Sequence, residues 1–98
     1  MNKSHIYIKE NSWQARLAAK KMNATSVAMV LGRTIHLWGT TKENFLADER
    51  WVKHELCHVK QFATHGYFLF IIKYLWEYLR VGYYNNKYEV EAREAEEV

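Results

Sequence analysis

The sequence has no proline, four glycines and a single cysteine. With so few breakers nothing marks a linker or a boundary, and no stretch is of low complexity, so one continuous domain over residues 1–98 is expected. The lone Cys57 excludes an internal disulfide framework, and a Cys/His zinc finger would need more thiolates than the chain has. A reducing compartment fits this cysteine usage. The N-terminus "MNKSHIYIKENSW" lacks an apolar run of export-signal length, so a cytoplasmic location is expected. Charge of one sign is also lacking. Ten Lys and Arg stand against five Asp and Glu in residues 1–66, four against six in residues 67–98, and the net value is only +3. The basic side chains form no stripe, and no nucleic-acid partner is expected.

What the chain does have is apolar and aromatic mass. Apolar residues make up 49% and aromatic residues 15%, with four Trp and seven Tyr, which is far from the composition of a disordered chain. Ninety-eight residues suffice for one core but leave no room for a separate substrate domain, so any chemistry must sit on one scaffold.

Hydrophobic periodicity and capping residues outline an α+β order. The alternating "HIYIK" predicts a strand over residues 5–9, and "NSWQARLAAKKMN" a helix over 12–22, capped by Asn11 or Ser12 and stopped at Asn23. Two β-branched runs around Gly32 and Arg33 have the spacing of a two-residue hairpin, with strands near 26–31 and 34–38. After Thr40 or Thr41 as cap, the chain runs without a breaker to Gly66, which predicts a long central helix, with room for a short turn before it. "YFLFIIKYLWEYLRVGYY" is apolar except at Lys73, Glu77 and Arg80, which share one face, and predicts a helix buried around most of its circumference. Asn86 caps a final acidic helix.

The chemistry lies in "HELCH", residues 54–58. On a helix, residues four apart are separated by one turn plus about 40°, so His54 and His58 point the same way and can grip one metal ion. Neutral imidazole is a preferred zinc ligand, and catalytic zinc usually has three protein ligands and a water. Glu55 lies about 100° around the helix from His54, where a carboxylate can take the proton of that water and pass it to a leaving amine. Val52, Leu56, Val59 and Ala63 form the opposite stripe, expected to pack on the core, while Trp51 and Phe62 flank the histidines. Cys57 lies off the histidine face.

A third ligand must come from elsewhere. The metzincin pattern would put Gly at position 61 and His at position 64, where this chain has Gln61 and Thr64, with His65 one residue out of register. Two distal glutamates compete. Glu89 follows Asn86 at capping-box spacing, and Glu77 lies one turn from Lys73 and Arg80 with which it can pair. Glu91, Glu94, Glu96 and Glu97 read as a solvated acidic end.

"HELCHVKQ" followed by "NNKYEVEAREAE" resembles the gluzincin metallopeptidases, especially the minimal single-domain ones, over residues 34–97. The resemblance implies a small zincin-like α+β domain: a short sheet made of a strand plus a hairpin, a central active-site helix and two C-terminal helices. It implies "TIHLW" as the substrate-side strand, zinc (Zn2+) held by His54, His58 and Glu89, Glu55 as general base, and Ala92 as the small residue three positions after the glutamate ligand. Arg93 stands where related membrane-associated gluzincins have aspartate, and other members place the ligand at the spacing of Glu77. The expected function is zinc-dependent hydrolysis of a peptide or protein substrate, with Tyr83, Tyr84, Tyr88 or His65 steadying the oxyanion. The alternative is a weakly active or inactive metal-binding scaffold, a regulatory or interaction module that makes protein or peripheral membrane contact through residues 67–82.

Overall fold

The computed structural model describes residues 5–98 and contains β1 (Tyr7–Lys9), α1 (Trp13–Met22), β2 (Val27–Leu31), β3 (Thr34–Trp38), α2 (Lys42–Ala47), α3 (Glu49–His65), α4 (Tyr67–Asn85) and α5 (Lys87–Ala95). This is the expected small α+β domain, with the strand, the hairpin and two C-terminal helices. Ser12 is the α1 cap, its Oγ accepting from the Ala15 N–H, and Asn23 ends the helix in the left-handed region at φ 55°. The Gly32-Arg33 turn sets Leu31 opposite Thr34, and Gly32 takes the positive φ of 68° that such a turn requires.

The sheet order is β1-β3-β2, with β1 parallel and β2 antiparallel to β3. The tight turn folds β2 back along one edge of β3, and α1 carries the chain from β1 so that β3 pairs along the other. "TIHLW" is therefore the central strand and not the substrate-side one, and among the described residues β2 has an unpaired outer edge. Val30, Ile35 and Leu37 face the main core with Phe45, Val59, Phe62, Phe70 and Tyr88. On the opposite face, Ala15 and Ala19 let α1 lie close against Val27. Gly39 closes the hairpin beside residue 25: at φ 77°, a Cβ there would lie 2.0 Å from the Thr25 carbonyl oxygen.

The predicted long central helix is split at Asp48. This residue is extended (φ −97°, ψ 93°), and its carboxylate accepts from the Trp51 N–H at 3.1 Å, starting α3 afresh after α2, which Thr41 caps. Aspartate favours such a local bond over the helix interior. The α3 faces also differ from expectation. Leu56 is 40% exposed and Ala63 is exposed, whereas Glu55, His58, Val59, Gln61 and Phe62 are buried. α5 packs beside the histidine stripe and draws it inward.

The apolar helix α4 departs most. Only Phe70 and Glu77 are buried, while Phe68 is 77%, Trp76 66% and Leu79 79% exposed. α3 and α5 meet it along one side, and among the described residues nothing covers the remainder. No helix among them is long and apolar enough to cross a membrane. Gly82, at φ 83° and ψ 177°, breaks α4 and turns the chain toward α5.

Candidate metal centre

Three elements converge on one point. His54 and His58 project from successive turns of α3, with ring centroids 5.1 Å apart. Glu89 reaches them from the first turn of α5, its Oε1 lying 3.0 Å from His54 Nε2 and 3.2 Å from His58 Nε2. The start of α5 is fixed by Asn86, fully buried, whose Oδ1 accepts from the Tyr88 N–H while its Nδ2 donates to the Tyr74 carbonyl. The Glu89 carboxylate does not fold back into a capping box: the Asn86 N–H goes to the Tyr83 carbonyl, and Glu89 spends its oxygens on the histidines and Tyr74. Ala92, with no exposed surface, lies one turn further along α5.

Glu77, the other candidate, stands apart from this group. Its carboxylate accepts from Arg80 at 3.3 Å and lies 3.4 Å from the Lys87 N–H, so it pairs within α4 and supports the first turn of α5. Among the described residues, the three side chains that can jointly hold an ion, with donor atoms all within 4.8 Å of one another, are His54, His58 and Glu89.

The surrounding hydrogen bonds set the tautomers. His54 Nδ1 donates to Glu96 Oε2 at 2.7 Å. His58 Nδ1 donates to Gln61 Oε1 at 2.8 Å, and the Gln61 amide is held in that orientation because its Nε2 donates to the Tyr88 carbonyl and to Glu91. Each neutral imidazole therefore turns the Nε2 lone pair toward Glu89. Tyr74 donates to the other carboxylate oxygen, Oε2, at 2.6 Å, leaving Oε1 to the histidines. This is how metal-binding imidazoles and carboxylates are commonly oriented by outer partners. Lone pairs on two nitrogens and one carboxylate oxygen repel unless a cation lies among them. Donors about 2.0–2.1 Å from a tetrahedral ion sit about 3.3–3.4 Å apart, close to the two His–Glu89 separations of 3.0 and 3.2 Å, and the donor set is of a kind that suits zinc.

The proton affinities express the same demand. Burial works to lower His54 and His58, but the hydrogen bonds and charge of Glu89, with help from Glu96 at His54 and from Glu55 and Gln61 at His58, leave both raised. Burial works to raise Glu89, yet the two histidines and Tyr74 hold it well below the usual carboxylate range. Glu89 thus favours positive charge, as a proton or a cation, at both imidazoles. Glu55 is 4% exposed, and burial pushes its carboxyl up to about 8, against the opposing pull of His58.

The centre opens into a cleft of about 1090 Å³ between β2, α3 and α4, which Glu55 and Tyr83 also line. Of the four residues considered for the oxyanion, Tyr83 alone lines this cleft. Tyr88 is packed in the core, Tyr84 lies under Arg93, and His65 stacks on Phe70 beside Lys73. Burial and the charges of Glu89 and Glu55 raise the Tyr83 hydroxyl, keeping it protonated. Arg93 turns away from the centre to the Tyr84 carbonyl.

Sequence reasoning missed Tyr74, Gln61 and Glu96. Glu96 belongs to the centre and not to the solvated end, and its spacing of seven from Glu89, two helical turns, is the signal that marks it. Gln61, three residues after His58, lies on the same side of α3 by the same rule. Nothing local to Tyr74 distinguishes it from the other aromatic residues of α4.

Comparison with known proteins places the motif helix inside a family but leaves Glu89 outside the matched segment. Residues 2–66, about two thirds of the chain, match the family described as the eCIS core domain. No curated protein matches the chain, and neither does any solved structure. The match takes in the sheet and the whole of α3 with His54, Glu55 and His58, and the chain therefore belongs to the eCIS core domain family.

Proposed function

We propose that the chain is a zinc-dependent metallopeptidase of the gluzincin type. One observation carries the reading: His54 Nε2 and His58 Nε2 meet Glu89 Oε1 at 3.0 and 3.2 Å in the wall of an open cleft that the Glu55 carboxyl shares. His54, His58 and Glu89 would hold a zinc ion there, which would supply Lewis-acid polarisation of a scissile carbonyl and a more acidic water. Glu55, held on the same turn of α3 as His54, takes the proton at its carboxylate and returns it to the departing amine. Tyr83 donates from the cleft wall to the oxygen on which negative charge develops. Tyr74, Glu96 and Gln61 touch ligands and not substrate, and they keep Glu89 Oε1 and both Nε2 atoms aimed inward. The outer edge of β2, unpaired among the described residues, borders the cleft and offers backbone donors and acceptors to an extended chain.

The test replaces Glu55 by Gln and measures hydrolysis of casein and of a peptide library with zinc supplied. Hydrolysis lost while zinc stays bound supports the assignment. Zinc bound by a parent protein that cuts nothing overturns the peptidase and leaves a metal-binding interaction module.

A further inference from the structure

The cleft extends well past the metal centre, and its far part is almost without charge. Apart from the centre itself and its neighbours Glu55 and Glu96, Lys21 is the one charged residue along its walls among the described residues. The lining includes Ala28 and Val30 from the β2 face toward α3, Val27 and Met29 from the face toward α1, and Met22 of α1 itself. A groove touches both faces of a strand only by passing around its edge, so the side of β2 that is unpaired among the described residues lies open within it. Opposite stand Ile71, Leu75, Tyr78 and Leu79, at helical spacing on α4, with Leu75 53% and Leu79 79% exposed.

We propose that this cleft selects an extended, uncharged segment with bulky aliphatic or aromatic side chains, laid along β2 with alternate residues on the apolar flank of α4. The inference rests on the peptidase reading for what happens next to the segment, but not for its binding. Strand pairing satisfies the backbone of such a segment whatever its sequence, so selection falls to the side chains. A Leu or Phe directed at Leu75 and Leu79 removes apolar surface from water on both partners. A carboxylate or ammonium there loses hydration and, away from Lys21, meets no counter-charge. The exposed face of α4 is thereby explained as one half of a contact completed by the segment.

The experiment uses the full chain carrying Glu55→Gln, loaded with zinc, and fluorescence anisotropy of short labelled peptides. One set has Leu or Phe at alternate positions, and the other has Asp or Lys at the same positions. The apolar set is expected to bind about ten- to a hundredfold more tightly, and Leu75→Glu or Leu79→Glu to weaken it about tenfold each while zinc affinity and circular dichroism stay unchanged. Both side chains are exposed, so these variants fold. Equal binding of the two sets, no binding of either, or apolar binding indifferent to Leu75→Glu and Leu79→Glu overturns the proposal. So does a concentration-dependent dimer that those variants dissolve without any effect on peptide binding. Apolar binding with no hydrolysis by the parent upholds this inference and sinks the peptidase reading, while hydrolysis without apolar preference does the reverse.

Discussion

Replacing Glu89 by Gln separates the two glutamates that the sequence left in competition. The substitution keeps the shape of the side chain and keeps an oxygen to accept from Tyr74, so the half-buried hydroxyl is not orphaned. What it removes is the anionic donor 3.0 and 3.2 Å from the two imidazole nitrogens. A structural zinc site is worth about 10–16 kcal/mol over four ligands, or about 2.5–4 kcal/mol for each donor, which corresponds to about two to three orders of magnitude in affinity. Glu77→Gln removes only the Arg80 pair and weakens support for the Lys87 N–H. Arg80 is more than half exposed, so this costs about 1 kcal/mol or less of stability and leaves zinc affinity unchanged. Competition with a chromophoric chelator at fixed pH reads both affinities, and urea unfolding of the metal-free proteins reads both stabilities. If Glu89→Gln binds zinc as tightly as the parent, or Glu77→Gln is the variant that loses it, the ligand set argued above is wrong.

Glu96→Gln keeps the acceptor for His54 Nδ1 but removes its charge, and zinc affinity should drop about tenfold, a smaller loss than at Glu89; an unchanged value in the same competition assay refutes a positioning role. In the metal-free protein, His54 and His58 are raised above 6.5 and Glu55 is raised from 4.5 to about 8. Their contributions are present at acid pH and lost as pH rises, whereas that of Glu89, which is lowered, is lost as pH falls through its folded value. Calorimetry in chelator should therefore find the highest midpoint between about pH 4.5 and 6.5 and a decline toward pH 9, and saturating zinc should offset that decline because it binds neutral imidazole; a metal-free midpoint that climbs from pH 6 to 9 contradicts the reasoning. Gly39→Ala drives a Cβ to 2.0 Å from the Thr25 carbonyl and should cost more than about 3 kcal/mol, while Gly82→Ala, with equally positive φ but open space around it, should cost only about 1–3 kcal/mol of backbone strain. Equal losses in urea unfolding would count against the clash.

The parts of the fold legible in the sequence are those fixed by near neighbours. Ser12 and Asn23 bound α1 because a cap and a left-handed stop act within one turn. Gly32-Arg33 dictates the hairpin because a two-residue turn sets its own register. His54 and His58 share a direction because both stand on one helix. Where the deciding contact is distant, local pattern misleads. Asp48 reads as one more polar residue in a long helix until its carboxylate is seen on the Trp51 N–H. "TIHLW" looks like a cleft strand until β1 and β2 are seen to occupy both of its edges. In α4, apolarity alone suggested burial, but a helix is buried only when other elements surround it, and α3 and α5 reach one side.

That same distance effect explains why the centre depends on the segment after α3. Within the matched region, α3 supplies two imidazoles and Glu55, but no anionic ligand beside them. Glu89 reaches the centre because Gly82 reverses the chain, Asn86 ties the start of α5 to the Tyr74 carbonyl, and the Tyr74 hydroxyl then takes the oxygen that the histidines leave free. One residue of α4 thus aligns both the backbone and the side chain of the ligand helix, which gives α4 a task that its apolar surface conceals. The helix builds the anionic side of the metal centre with its buried edge and, on the peptide reading, the apolar wall of the cleft with its exposed one. Its exposed leucines and its half-buried Tyr74 follow, on that reading, from a single requirement: a helix standing between Glu89 and a bound apolar segment must present a polar contact to one and an oily surface to the other.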